Sequence, residues 1–171
     1  MKRLILMRHG EAPKRLEDSD VERSLTPLGE EQCHASGQFM KKYNIGYALC
    51  SSVKRTRQTL DCVQKEVGIS EGMISFCKEI YENNSDLLSR LVDIQNNEEE
   101  TMLMVGHNPS LLELAVYYDN RIDTKWDDIL SLGLHHAEAI VIEFKDCAFW
   151  GELYKGKGEV VDIFIPNIES S

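Results

Sequence analysis

Four polar segments of this sequence each follow a stretch whose residues predict a buried strand. Arg8 and His9 follow residues 4–7, Ser51 follows residues 47–50, and His107 follows residues 101–105 with Gly106 between them. Residues 79–81 (EIY) follow a weaker strand pattern at residues 74–77. Open α/β sheets bind their ligands in the crevice at the carboxyl ends of parallel strands. These segments are therefore expected to meet at one edge of a sheet.

Segments with the apolar spacing of helices alternate with the predicted strands. Thr26 and Pro27 predict a helix start, since threonine is a good N-cap and proline suits the first helical position. Gly68 predicts the end of a second helix, and Ser85 is expected to cap a third. The remaining expectations are a helix at residues 110–118 and strands at 137–144, 149–154 and 160–165. This pattern predicts an α/β fold, a three-layer α/β/α sandwich whose central sheet is mostly parallel and flanked by helices.

The length of the chain indicates one domain. Single domains commonly contain about 100–200 residues, and this chain has 171, of which 42% are hydrophobic and 28% charged. Such a composition buries enough apolar surface to exclude general disorder. One domain over residues 1–171 is predicted, with a fraying tail from about residue 166.

Charge and cysteine content exclude several classes of function. The formal net charge is −10, from 19 Lys and Arg against 29 Asp and Glu, which disfavours binding to nucleic acid or to an anionic membrane. No apolar run approaches the roughly 20 residues that a bilayer crossing needs. Five dispersed cysteines without a Cys-x-x-Cys pair indicate reduced thiols and a cytoplasmic location.

The residue types at the predicted sheet edge suit phosphoryl chemistry. Arg8 and Arg55 offer forked donors that match phosphoryl oxygens, and the helix start near Arg55 adds free N–H groups. His9 and His107 supply a nucleophilic nitrogen and a hydrogen-bond donor. No accompanying group of side chains has the spacing of metal ligands, so a reaction without metal or other cofactor is expected.

Five segments, in this order along the chain, resemble the histidine phosphatase superfamily, also called phosphoglycerate-mutase-like. Its short SixA-type phosphohistidine phosphatases are the most similar subgroup. The segments are residues 6–11 (LMRHGE, with the Arg-His-Gly signature), 23–29 (RSLTPLG), 51–59 (SSVKRTRQT), 79–81 (EIY) and 105–109 (VGHNP). The resemblance implies a phosphoglycerate-mutase-like fold. It also implies that His9 accepts the phosphoryl group, that Arg8 and Arg55 clamp it, and that His107 contacts its oxygens.

The sequence leaves the general acid open between two carboxylic acids. Glu79 matches the place of the acid that serves superfamily members cleaving phosphomonoesters, whereas Asp20 is an alternative acid or a substrate-orienting group. Arg23 either lies near the mouth of the site or pairs with an adjacent acidic residue. The adjacent pair His135 and His136 is expected to be structural, because neighbours on a strand point to opposite faces.

The short loops predict an open pocket, which suits a phosphorylated side chain presented by another protein better than a small enclosed metabolite. The expected function is hydrolysis of protein phosphohistidine through a covalent phospho-His9 intermediate, with inorganic phosphate as product. One alternative is a small-molecule phosphomonoesterase that uses Glu79 as its acid. A second alternative is a phosphate-binding module without catalysis, which the presence of both histidines and both arginines disfavours.

Overall fold

The computed structural model describes residues 1–168 and contains one six-stranded sheet. The strands are β1 (Lys2–Arg8), β2 (Tyr47–Ser51), β3 (Ile74–Cys77), β4 (Thr101–Gly106), β5 (Ala139–Phe144) and β6 (Glu159–Phe164). Their spatial order is β3-β2-β4-β1-β5-β6. The first four are mutually parallel, β5 is antiparallel to β1, and β6 at the edge is antiparallel to β5. The carboxyl ends of β1, β2 and β4 therefore lie side by side.

Helices cover both faces of the sheet. They are α1 (Pro27–Met40), α2 (Lys54–Val67), α3 (Ser85–Asp93), α4 (Ser110–Tyr118) and the short α5 (Asp127–Ser131). Because successive strand residues point to opposite faces, Leu4 and Leu6 of β1 pack with α3 and α4, whereas Ile5 and Met7 pack with α1 and α2. The predicted three-layer α/β/α sandwich with a mostly parallel sheet is confirmed.

Local capping explains where α1 begins and where α2 ends. The Thr26 side chain accepts a hydrogen bond from the backbone N–H of Gly29, and Pro27 follows at the first helical position. Gly68 ends α2 with φ of 67°, a conformation that glycine adopts without steric cost. Both features were predicted from the sequence. Gly68 fixes the end of α2, which carries Arg55 on its buried face.

Two local predictions were wrong, and one short helix was missed. The cap of α3 is Asn84, whose side chain accepts from the N–H of Leu87. Residues 149–154 contain a 3-10 turn (Trp150–Glu152) rather than a strand. Trp150 and Leu153 are the buried residues there, and a spacing of three matches a helical turn rather than the alternation of a strand. Helix α5 was not predicted.

None of the helices within residues 1–168 is both long enough and apolar enough to cross a bilayer. Residues 166–168 follow β6 without helix or strand. The remainder of the predicted fraying tail lies outside the described residues.

Candidate active site

A cavity of about 270 Å³ opens at the carboxyl ends of the parallel strands. It brings together six of the seven residues that the sequence proposed as site residues, from β1, β4, α2 and the loop before α1. Its lining consists of Arg8, His9, Asp20, Arg23, Arg55, Tyr81, Asn83, His107 and Asn108. Three guanidinium groups face one carboxylate in this lining. The cavity therefore concentrates positive charge within an acidic protein, which suits an anionic ligand.

A larger cavity, of about 540 Å³, lies at the opposite end of β1 and carries less chemistry. Its two cations already have partners within the protein. Arg3 contacts Glu143 at 2.7 Å, and Lys42 lies 3.7 Å from Asp162. The smaller cavity is the stronger candidate because its three guanidinium groups outnumber its one carboxylate, which leaves a net positive charge beside two histidines.

His9 is held as a neutral imidazole with a defined proton position. Its Nδ1 lies 2.7 Å from the backbone oxygen of Gly10, so Nδ1–H donates to that carbonyl and Nε2 keeps its lone pair. The ring is buried, and burial lowers the pKa of His9 to about 2, with further lowering by His107, Arg55 and Arg8. A neutral imidazole with a free Nε2 is a competent nucleophile.

The backbone around His9 is fixed from three directions. The His9 N–H donates to Gly106 of β4 at 3.2 Å, and its carbonyl accepts from Ala137 at 3.0 Å. The N–H of Gly10 donates to Thr59 Oγ1 on α2, at 3.1 Å. Because these partners come from β4, α2 and the segment before β5, the imidazole is positioned by both halves of the chain. Preorganisation of this kind lowers the entropic cost of attack.

Each of the two arginines predicted to bind the phosphoryl group has an Nε–H donor that is unpaired in the described structure. Arg8 Nη1 donates to the carbonyl of Leu134 at 2.9 Å, and Arg55 Nη1 donates to the carbonyl of Asp20 at 2.7 Å. Within residues 1–168, the buried Nε atoms of Arg8 and Arg55 have no hydrogen-bond partner. An unpaired buried donor is costly, and both residues line the cavity. A bound phosphoryl group could accept from both Nε–H groups.

Asp20 fastens the loop before α1 to the mouth of the cavity. Its carboxylate accepts from Tyr81, from Arg23 at 3.0 Å and from Arg55 at 3.3 Å. The hydrogen bond from Tyr81, with those from Arg23 and Arg55, holds the pKa of Asp20 well below its usual range. Asp20 is therefore an ionised acceptor at neutral pH and has no proton to give. Both alternatives left open for Arg23 are realised, since it lines the mouth and pairs with Asp20.

His107 also lines the cavity. Its ring centroid lies 5.5 Å from that of His9, and its Nε2 lies 2.9 Å from Ser51 Oγ. Burial lowers the pKa of His107 to about 4, helped by the charge of Arg55. His107 is thus a neutral donor at pH 7, placed to contact the same ligand as His9.

Glu79 lies outside the cavity lining, although its turn contributes to the site. The 3-10 turn Lys78–Glu82 buries Ile80 in the core and directs Tyr81 to the cavity. Sequence reasoning did not single out Tyr81, although it lies within the EIY segment. The contact from Tyr81 to Asp20 could not be read from that segment, because it joins residues 61 positions apart.

His136 is a further neighbour of the site that the sequence reasoning passed over. The pair was placed on a strand, but β5 begins only at Ala139, and Ala137 turns the chain with φ of 59°. His136 lies with its ring centroid 5.8 Å from that of His9. Burial and the charge of Arg8 lower its pKa. The two histidines at 135 and 136 therefore differ, since His135 is exposed and pairs with Glu138.

We expect His9 and His107 to remain unprotonated in the folded protein between about pH 8 and pH 5, because both pKa values lie below the ordinary 6.5. The unfolded chain binds more protons than the folded chain below about pH 6.5, so the free energy of unfolding should fall as pH decreases through that value. An NMR titration of the imidazole resonances checks this, with the protein in denaturant as the control. Titration of either ring near pH 6.5 in the folded protein would contradict the expectation.

Comparison with known proteins agrees with the fold and with the N-terminal motifs. The family model of the histidine phosphatase superfamily (branch 1) matches residues 4–82. No curated protein matches the chain significantly. A structure assigned as the phosphohistidine phosphatase SixA of Nakamurella multipartitia is 26% identical, with a TM-score of 0.80, covering 98% of this chain and 97% of that chain.

Two further solved structures share the fold at lower identity. The protein histidine phosphatase SixA in complex with tungstate is 19% identical, with a TM-score of 0.76 and coverage of 96% of this chain and 97% of that chain. A mycobacterial glucosyl-3-phosphoglycerate phosphatase is 13% identical, with a TM-score of 0.63 and coverage of 93% and 97%. The six-stranded sheet with flanking helices is thus the phosphoglycerate-mutase-like fold.

Proposed function

We propose that this chain, a member of the histidine phosphatase superfamily with the fold of the SixA structures, hydrolyses the phosphoryl group of protein phosphohistidine. The family model over residues 4–82 and the fold shared with the SixA structures support a phosphatase of this superfamily. The substrate class is our inference from the cavity. One observation carries it: within the described residues, the cavity is lined by a single carboxylate, and that carboxylate is held ionised.

The first step transfers the phosphoryl group to His9. Its oxygens accept hydrogen bonds from Arg8 and Arg55, whose Nε–H groups have no partner in the described structure. The lone pair of His9 Nε2 forms a bond to phosphorus, while the electron pair of the substrate's P–N bond passes to the departing imidazole nitrogen. His107 donates to a phosphoryl oxygen and stabilises the charge that shifts in the transition state.

The ionised Asp20 favours an imidazole over an alkoxide as leaving group. A phosphohistidine whose distal nitrogen is protonated leaves as a neutral imidazole, and a carboxylate at the mouth of the cavity can accept that N–H and stabilise the protonated form. An alkyl phosphate has no such proton, and its alkoxide needs a neutral acid to protonate it. Asp20 thus acts as a substrate-orienting group, one of the two roles open to it from the sequence.

The second step releases inorganic phosphate. A water molecule enters where the imidazole departed and attacks phospho-His9, and the P–N electron pair returns to Nε2 of His9. The water oxygen becomes an oxygen of the released phosphate and keeps one of its protons, while its other proton passes to a second phosphate oxygen. Because the electron pair returns to Nε2, the enzyme regains neutral His9. Nδ1–H stays bonded to Gly10 throughout, so that the proton on His9 does not have to move. We propose that the reaction proceeds without a metal ion; within residues 1–168 no group of three or more His, Cys, Asp or Glu side chains is arranged to hold one.

We expect the chain to hydrolyse a histidine-phosphorylated protein at least about 100-fold faster than alkyl phosphomonoesters, since general acid catalysis commonly contributes about 10²–10⁴-fold to the latter. The Asp20→Asn variant should lose about ten- to a hundredfold on the phosphoprotein, because the amide is uncharged and stabilises the protonated imidazole less. Phosphate release, measured with and without chelator, checks both expectations.

The exposed Glu17 offers a matched control in the same acidic loop. Glu17→Gln should change the rate less than about twofold, since exposed charges distant from the reacting atoms contribute little. Glu79→Gln should likewise leave phosphohistidine hydrolysis intact. Preference for an alkyl phosphate, together with a large loss in Glu79→Gln, would overturn the proposal in favour of a small-molecule phosphomonoesterase. Failure on both substrate classes, with phosphate still bound, would indicate a binding module.

A further inference from the structure

Ser51, the last residue of β2, makes the only side-chain hydrogen bond that His107 has in the described structure. Its Oγ lies 2.9 Å from Nε2 of His107, and both residues are buried. The carbonyl of the same serine accepts from Thr56 Oγ1 at 2.7 Å, which fixes the strand end against α2. The hydroxyl is therefore held against one ring nitrogen of a site histidine.

The need to pair every buried polar proton decides whether Ser51 or His107 donates the hydrogen bond between them. The Ser51 hydroxyl has no other acceptor within residues 1–168, and a buried hydroxyl proton without an acceptor is costly. If Nε2 of His107 carried the proton, the hydroxyl would accept and its own proton would be left unpaired. If the hydroxyl donates to Nε2, every proton in the contact has a partner. The neutral ring then carries its proton on Nδ1.

We propose that Ser51 is a positioning residue that fixes the Nδ1–H tautomer of His107. The neutral imidazole then offers a fixed donor to the phosphoryl oxygens without becoming a cation beside Arg55. His9 has a fixed tautomer through Gly10, so the two histidines differ in role. His9 offers the lone pair of its Nε2, and His107 offers the proton on its Nδ1. The kinetic part of this inference rests on the proposed function, whereas the tautomer itself does not.

The direct test is the tautomer of His107 in the wild-type protein. Long-range ¹H–¹⁵N correlation spectra of protein labelled at its five histidines distinguish the two ring nitrogens, and His107→Gln assigns the resonances. We expect a protonated Nδ1 and an unprotonated, hydrogen-bonded Nε2 at pH 7. A proton on Nε2 would overturn the proposal, whether or not the protein proves to be a phosphatase.

The functional test compares Ser51→Ala with Ser51→Thr and with Ser75→Ala. Removal of the Ser51 hydroxyl should lower kcat/KM by about ten- to thirtyfold, equivalent to one hydrogen bond in a buried site, and should raise the pKa of His107 because Nε2 becomes free to protonate. Ser51→Thr keeps a hydroxyl and should restore most of the activity. Ser75 lies on the adjacent strand β3 and contacts Tyr47, so Ser75→Ala should remain near wild type.

Inorganic phosphate and tungstate serve as probes that need no turnover. Ser51→Ala should bind them about tenfold more weakly than wild type, with the Nδ1 resonance of wild-type His107 shifting on binding. Unchanged activity, unchanged anion affinity or an unchanged tautomer in a folded Ser51→Ala protein would each contradict the positioning role. Normal anion binding and the expected tautomer in a protein without phosphatase activity would instead reject only the proposed function.

Discussion

Replacing His9 with alanine is expected to lower kcat on a histidine-phosphorylated protein by at least about 10⁴-fold, because loss of a covalent nucleophile costs this much or more. His9 is a buried imidazole that lines the cavity together with Arg8 and His107. Its Nδ1 is bonded to Gly10, and its Nε2 has no hydrogen-bond partner among residues 1–168. Phosphate release under single-turnover and steady-state conditions measures the loss, and no phosphorus should remain on the variant chain.

A second histidine provides the matched control. His34 lies on α1, outside the cavity lining, where its Nδ1 is 3.4 Å from Glu66. His34→Ala should keep activity within about twofold, as expected for a substitution away from the site. Comparable thermal unfolding of wild type and His9→Ala excludes a folding defect. Retention of more than a few per cent of the activity by folded His9→Ala would show that phosphorus does not pass through this residue.

Replacing Arg55 with lysine is expected to lower kcat/KM by roughly 10²-fold or more, since a lysine is a point charge and cannot reproduce a guanidinium fork. Arg55 has two functions in the structure. Its Nη1 and Nη2 donate to the carbonyl and carboxylate of Asp20, and its buried Nε–H, which has no partner in the part of the chain that the structure describes, can donate to the ligand. Lysine lacks the geometry to do both. The loss should appear in kcat/KM and in the affinity for inorganic phosphate, both measured for the folded variant.

Arg57, two positions further along α2, is the control for charge. It is exposed, donates to the carbonyl of Ser52 at 2.7 Å and stacks on Phe76. Arg57→Lys should change both quantities less than about threefold, because exposed ionic contacts contribute little. Equal losses in the two variants would mean that the general positive charge of α2, rather than the fork of Arg55, binds the phosphoryl group.

The fold and the convergence of the site follow from local patterns in the sequence. A short apolar run that ends at turn residues, such as residues 101–105, predicts a buried strand. Thr26 with Pro27 predicts a helix start, because threonine caps helices and proline suits the first helical position. The polar residues after β1, β2 and β4 could be gathered without coordinates, because the ends of parallel strands meet at one edge. The spacing of the apolar residues predicted the strands, and the parallel direction of those strands predicted that Arg8, His9, Arg55 and His107 lie around one cavity.

Contacts across long sequence separations could not be predicted in the same way. The position of His136 beside His9 depends on a turn at Ala137 with positive φ, which a non-glycine residue rarely adopts and no local motif signals. The ionised state of Asp20 depends on Tyr81 and Arg55, both far along the chain. Glu79 and Tyr81 are two positions apart, and only packing of Ile80 in the core decides which of them faces the cavity.

The central claim is that phosphorus passes through Nε2 of His9, and a rapid-quench experiment tests it most directly. Wild-type protein and chelator are mixed with a histidine-phosphorylated protein, quenched in base within milliseconds, digested and analysed by mass spectrometry. We expect up to one phosphoryl group per chain, on the peptide that contains His9, appearing before inorganic phosphate and disappearing as phosphate forms. Release of phosphate at the full rate with no phosphorus on His9 at any time would contradict the account.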